Sequence, residues 1–162
     1  MRLAILALLL VAAAPAFAAD YPGAPASVVA AYIEADGAGK ALDGDTCSQV
    51  LRYTVWPDAP GRDTFTVIKS YDIGEVGWTG NKASVQITYD VLGPLSATTF
   101  TSKPTKEEVS FDLERTKGRW KIVGPQLPPH LFLPAGITAL ESAGAKADDA
   151  GKASLKKLRT LE

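Results

Sequence analysis

The order of hydrophobic periodicities predicts an α+β fold, with helices first and an antiparallel sheet after them. Three observations carry that expectation. Val28, Val29, Tyr32 and Ile33 recur at helical spacing. From Thr64 the period changes to two, most cleanly in 84–91: Val85, Ile87, Tyr89 and Val91 share one face, Ser84, Gln86, Thr88 and Asp90 the other. Finally, EEVSFDLERTKGRWKIVGP (107–125) alternates, breaks at Lys117-Gly118 and resumes with Trp120 and Ile122, as a β-hairpin does.

The chain starts with Met1-Arg2, an apolar run and PAFAAD, whose small residues Ala16 and Ala18 fit a signal-peptide cleavage site after Ala18. That run is too short for a membrane span of about 20 residues. The expected organisation is a signal peptide (1–18), a short leader (19–24), one domain (25–142) and a charged tail (143–162) that is partly helical or disordered. The product is expected to be periplasmic or secreted, with no membrane association after cleavage.

Within the domain, a helix begins near Pro25 or Ser27, where proline suits the first turn, and fades at Asp36-Gly37. GAGKALDGD reads as a turn region. Asp45 or Thr46 is placed to cap a shorter helix carrying Cys47, Val50 and Leu51, which Pro57 and Pro60 terminate. In the first strand Phe65, Val67, Tyr71 and Ile73 share a phase that leaves Ile68 out, and TGNK supplies the next turn. GPLSATTFTSKPT reads as a long polar connection, partly extended. PQLPPHLFLP has too many prolines for regular structure, and Ala135–Ala143 suits a short helix.

Removing residues 1–18 from 162 leaves 144, the commonest size for a single domain, and a lone Cys47 cannot form an intramolecular disulfide. Loss of Arg2 leaves 16 basic residues against 18 acidic, with no basic run to neutralise phosphates, so nucleic acid is not an expected partner. A single histidine, His130, rules out a multi-histidine metal site. Neither metal nor cofactor is expected, and neither a nucleophile-elbow motif nor a glycine-rich phosphate loop is present.

SVVAAYIEADGAGKALDGD resembles the opening helix and turn of the nuclear transport factor 2-like superfamily (cystatin-like α+β cone), and VSFDLERTKGRWKIVG resembles its last hairpin. The resemblance spans roughly 25–125. It implies N-terminal helices packed in a strongly curved antiparallel sheet, with one apolar pocket at the open end. It implies no single activity, since this scaffold hosts isomerases, cyclases, dehydratases and non-catalytic binding domains.

Strand phase decides which acids can matter. Asp90, Asp112 and Glu114 lie opposite Tyr89, Phe111 and Leu113, so they are expected on the solvated outer face. Among the turn acids Asp36, Asp43, Asp45 and Asp58, the first two neighbour glycines and Asp45 reads as a cap. Asp58, beside Trp56, is the catalytic candidate, with Tyr32 as its donor and His130 as a further titratable group. Tyr32, Tyr53, Trp56, Tyr71, Tyr89, Phe111 and Trp120 are the candidate pocket lining, suited to an apolar small molecule. Cys47 reads as a buried, inert thiol.

The primary expectation is therefore an exported, non-catalytic domain binding an apolar small ligand or a protein partner. One alternative is an isomerase-, cyclase- or dehydratase-type enzyme using a pocket tyrosine and a loop carboxylate. Another is a secreted inhibitor or immunity-like protein. The outer sheet face carries Ser84, Gln86, Thr88, Asp90, Ser110, Asp112 and Glu114, so a monomer or weak homodimer is expected.

Overall fold

The computed structural model describes residues 21–61, 63–96 and 98–161, so the expected signal peptide and its cleavage lie outside the described residues. The chain runs through α1 (Pro25–Gly37), a 3-10 turn (Lys40–Leu42), α2 (Ser48–Leu51), β1 (Thr64–Thr79), β2 (Lys82–Ser96) and β3 (Thr99–Phe100). It continues through β4 (Thr105–Thr116), β5 (Arg119–Gly124), β6 (His130–Phe132), α3 (Leu133–Ser142) and α4 (Asp149–Arg159). The strands form one sheet in the order β5-β4-β2-β1-β6, with β3 paired to β2 off that path. The sheet is strongly curled into a half-barrel, the α+β, cone-like architecture expected.

Helix α1 forms because Pro25 occupies its first turn and Val28, Val29, Tyr32 and Ile33 lie on one buried face. Opposite it, the inward residues of β2 and β4 (Val85, Ile87, Tyr89, Phe111 and Leu113) close the main core with Trp120 and Ile122 of β5. The hairpin turn falls at Lys117 (φ 51°) and Gly118 (φ 80°), as the sequence indicates.

Several expectations are corrected. The sheet is mixed rather than wholly antiparallel, because His130–Phe132 inside the proline-rich stretch forms β6, parallel to Thr66–Ile68 of β1. Prolines favour extended backbone, and the ladder uses an acceptor that needs no proline N–H: the Thr66 N–H donates to the Pro129 carbonyl at 2.9 Å. The phase of β1 also departs from simple alternation. Register shifts at Val67/Ile68 and Ile68/Ser70 bury both Val67 and Ile68, while Ile73 keeps the inward phase opposite Ile87 but is exposed.

GPLSATTFTSKPT is no polar connection. Strand β2 continues through Ser96 and turns back as β3, burying Leu95 and Phe100. Gly93 makes this possible: its φ of 148° suits glycine, and a Cβ there would lie 2.0 Å from the Thr101 carbonyl oxygen. The segment read as a tail forms α4, which packs Leu155 and Leu158 with Val67, Leu95, Phe100 and Leu140 in a second core. Neither Asp45 nor Thr46 caps α2. The Thr46 hydroxyl donates to the Lys40 carbonyl, and Asp45 N–H to the Asp43 carboxylate. Helix α2 also ends at Leu51, before either proline, and Thr54 then bridges to Ile122.

Candidate functional site

The seven aromatics proposed as a pocket lining separate into three groups. Tyr32 sits edge-on between Trp56 (ring centroids 5.9 Å apart) and Phe111 (5.7 Å), so these rings fill the middle of the half-barrel. Tyr89 and Tyr71 lie towards β6, stacked on His130 (4.4 Å) and Phe132 (6.4 Å) respectively. Tyr53 pairs with Tyr21 at 5.7 Å, and Trp120, on β5, is buried. Tyr32, Tyr89, Phe111 and Trp120 are buried; Tyr53, Trp56 and Tyr71 are half-buried. The four main concavities among the described residues have none of the seven on their walls.

Between α1, β2, β4 and β6 the structure buries a polar cluster. Asp36, 2 % exposed, accepts a hydrogen bond from the His130 backbone N–H at 2.9 Å through Oδ2, while its Oδ1 has no partner. His130, 3 % exposed, places Nδ1 2.9 Å from the Pro128 carbonyl. In the neutral ring that contact assigns the proton to Nδ1. Nε2 then faces Glu107 Oε2 at 3.6 Å without a hydrogen bond. Burial pushes the Asp36 carboxyl up to about 7 against the lowering effect of the His130 N–H. Burial lowers the His130 imidazole while Glu107 and the Pro128 carbonyl oppose it. Burial, and next the Asp36 charge, raises both the Tyr32 and Tyr89 phenols. Tyr71 is raised to about 12, by burial and then by its 3.0 Å hydrogen bond to Glu34.

Asp36 and Glu107 were not among the expected site residues, yet each carried a signal. Asp36 falls four residues after Tyr32, on the apolar stripe of α1, and Glu107 precedes Val109, Phe111 and Leu113 in the inward phase of β4. The same phase correctly sends Asp112 and Glu114 outward, where Glu114 pairs with Lys82 at 3.7 Å. Asp90 also lies on the outer phase and pairs with Lys106 at 3.6 Å. Asp58 is exposed, with its backbone carbonyl accepting from Gln126, and the structure does not bring it to Tyr32. Asp43 and Asp45 are exposed. His130 lies in the core and not in a surface loop. Cys47 is half-buried rather than buried, its thiol 3.2 Å from the Gly44 carbonyl.

The largest of these four concavities, about 860 Å³, opens elsewhere, between the end of α1, the 3-10 turn, the start of β1 and α3. Half-buried Leu42, Phe65, Ala135 and Ala139 supply its apolar surface, and the exposed acids Asp43 and Asp63 its charge. Its size lies in the range of small-molecule sites, roughly 300–1,000 Å³. The small side chains of α3 create it: alanine at 135 and 139 leaves space that a larger residue would fill.

Among the described residues, no group of three or more His, Cys, Asp or Glu is arranged to hold a metal ion. No described helix is long and apolar enough to cross a membrane. Fold and site together define an α+β half-barrel with a packed aromatic cluster, a buried Asp36 bonded to the His130 backbone N–H, and an apolar groove beside α3. No protein-family model, curated protein or solved structure matches the chain significantly.

Proposed function

We propose that this protein is an exported, non-catalytic member of the nuclear transport factor 2-like superfamily that binds a small, largely apolar molecule in the groove beside α3. The observation that carries this reading is the groove itself, about 860 Å³ and walled by Leu42, Phe65, Ala135 and Ala139. The order of opening helix, turn and closing Gly-x-Trp hairpin supports the superfamily, and the first 18 residues support export. The binding volume differs from the aromatic interior expected from sequence, because Tyr32, Trp56 and Phe111 pack against one another there.

A titration with Nile red, a neutral apolar fluorophore, tests the assignment. The wild-type chain is expected to give a saturable fluorescence rise. Ala139→Trp, which fills the groove from the α3 side, is expected to weaken it at least tenfold while keeping the far-ultraviolet circular dichroism spectrum. Equal binding by a folded Ala139→Trp would overturn the location.

One observation favours a second reading, an isomerase-, cyclase- or dehydratase-type enzyme: Asp36 is a carboxyl pushed up to about 7 whose charge acts on both Tyr32 and Tyr89. In that reading Asp36 takes the base role expected of Asp58, and the 125–129 loop must open to admit substrate. Exchange of a cyclic ketone's α-protons with deuterated solvent, catalysed by wild type and lost in Asp36→Asn, supports it. Exchange no faster than in buffer rejects it.

A further inference from the structure

The edge of the sheet at β5 carries a second feature, unrelated to the groove. Three cationic heads converge on the ring of Tyr21: Arg119 Cζ lies 5.1 Å from its centroid, Lys121 Nζ 5.5 Å and Arg52 Cζ 5.9 Å. Arg52 also lies 5.4 Å from the centroid of Tyr53, whose ring is tilted 37° against Tyr21. Arg115 adds a fourth cation, over the ring of Trp120 at 6.0 Å.

These positions are held by the fold. The Tyr21 hydroxyl donates to the Trp120 carbonyl at the sheet edge. The Lys121 ammonium donates to the Arg52 carbonyl at the end of α2, and Arg115 Nε donates to the Gly118 carbonyl at 3.4 Å. Residues 53–55 lie along β5: Ile122 N–H donates to the Tyr53 carbonyl at 2.8 Å and Val55 N–H to the Ile122 carbonyl at 3.0 Å. Arg52 and the two tyrosines are thereby tied to a rigid strand.

Among the described residues, no carboxylate pairs with the cations of this patch: none of Arg52, Arg115, Arg119 or Lys121 forms an ion pair, while Lys82, Lys106, Lys146, Lys152 and Arg159 each do. The carboxylate in register with Lys121 is Glu114, and it pairs with Lys82 at 3.7 Å. Like charges at this separation repel, and the half-buried Lys121 ammonium responds: its pKa is lowered, by burial first and then by Arg119 and Arg52. Cation–π contact with Tyr21 offsets part of the repulsion. An anion seated among the three heads removes the rest. Two guanidinium groups offer forked donors to a carboxylate or phosphate, and their planes and the Tyr53 ring offer stacking surface for a flat group.

We propose that this patch is a binding site for a small organic anion carrying a flat ring, an aryl phosphate or an aryl carboxylate. The site is separate from the groove beside α3, so it stands or falls independently of the function proposed above.

The test is a set of chemical-shift titrations of the 15N-labelled mature chain at constant ionic strength, following the arginine Nε–H signals and the β5 amides. The probes are phenyl phosphate, benzoate, inorganic phosphate and phenol. Phenyl phosphate or benzoate is expected to bind saturably and at least tenfold more tightly than inorganic phosphate or phenol, with affinity falling as salt rises. Arg119→Gln is expected to weaken that binding at least tenfold. Lys103→Gln, which removes an exposed cation after β3, is expected to leave it unchanged. Linear, non-saturating shifts for both aryl anions would overturn the proposal, as would undiminished affinity in Arg119→Gln. Inorganic phosphate binding as tightly as phenyl phosphate would reject the ring-bearing ligand.

Discussion

Asp36 and His130 occupy one buried cluster in which each group is driven towards its neutral form. For Asp36 the folded-state value, about 7, lies above the ordinary 3.8. Its contribution to stability is therefore complete below the ordinary value and is lost as pH rises through about 7. His130 works in the opposite sense: its lowered value means that stability is lost as pH falls below the ordinary 6.5. Urea midpoints of the wild type are expected to fall between pH 6.5 and 8 by the equivalent of about 0.5 kcal/mol, the Asp36 loss being partly offset by the opposite contribution of His130. In Asp36→Asn, which keeps an acceptor for the His130 N–H and cannot ionise, that fall is expected to disappear. The same alkaline decline in the variant would show that Asp36 is not its source. Part of this cluster was legible before the structure: the helical stripe points Asp36 inward and strand phase does the same for Glu107. What hid it was the glycine after Asp36, which made a turn residue the simpler reading, and the prolines before His130, which concealed a strand.

Among the elements, α4 was the least legible. Its inward stripe consists of Gly151, Ser154, Leu155 and Leu158, spaced as a helix face should be, but half of it is small or polar and no continuous apolar signal emerges. The helix is fixed by specific contacts. Asp148 caps it by accepting from the Gly151 N–H at 2.6 Å, and Ser154 Oγ accepts from the Phe100 backbone N–H at 3.0 Å. Gly151 lies so close to Ala145 that a Cβ would stand 2.4 Å from its carbonyl oxygen. Ser154→Ala leaves the buried Phe100 N–H without an acceptor and is expected to cost about 1–3 kcal/mol in chemical denaturation. Gly151→Leu is expected to unseat α4, with fast amide exchange along 149–159 while β2 and β4 stay protected. Retained protection there would refute the packing described. The strands show a related limit. Alternation located β2, β4 and β5 because each keeps one phase wherever it covers the helices, whereas the bulges of β1 reset the phase and turned Ile68, read as out of phase, inward beside Val67.

For the whole molecule, the half-barrel follows from having α1 on its concave side and an interior filled by Tyr32, Phe111 and Trp56. Phe111→Ala would leave a void among those rings and is expected to lower stability by about 3–5 kcal/mol. The outer face is polar across β2 and β4, with Ser84 and Ser110 hydrogen-bonded at 2.8 Å and Lys82–Glu114 and Lys106–Asp90 pairs along it. The exposed apolar residues of β1, Ile73, Val76 and Trp78, pair with the inward residues Ile87, Val85 and Ala83 and so lie on the concave face instead. Sedimentation velocity is expected to give a monomer or a weakly associating dimer. A tight dimer whose amides are protected along 84–90 and 110–114 would contradict that expectation.

The most direct test of the proposed binding role is native mass spectrometry of the chain purified from the cells that produce it. Wild type is expected to carry a bound small molecule that is released on unfolding and is absent from folded Ala139→Trp. A wild-type chain without any bound species, or an equal load on Ala139→Trp, would contradict the assignment of the groove beside α3 as the ligand site.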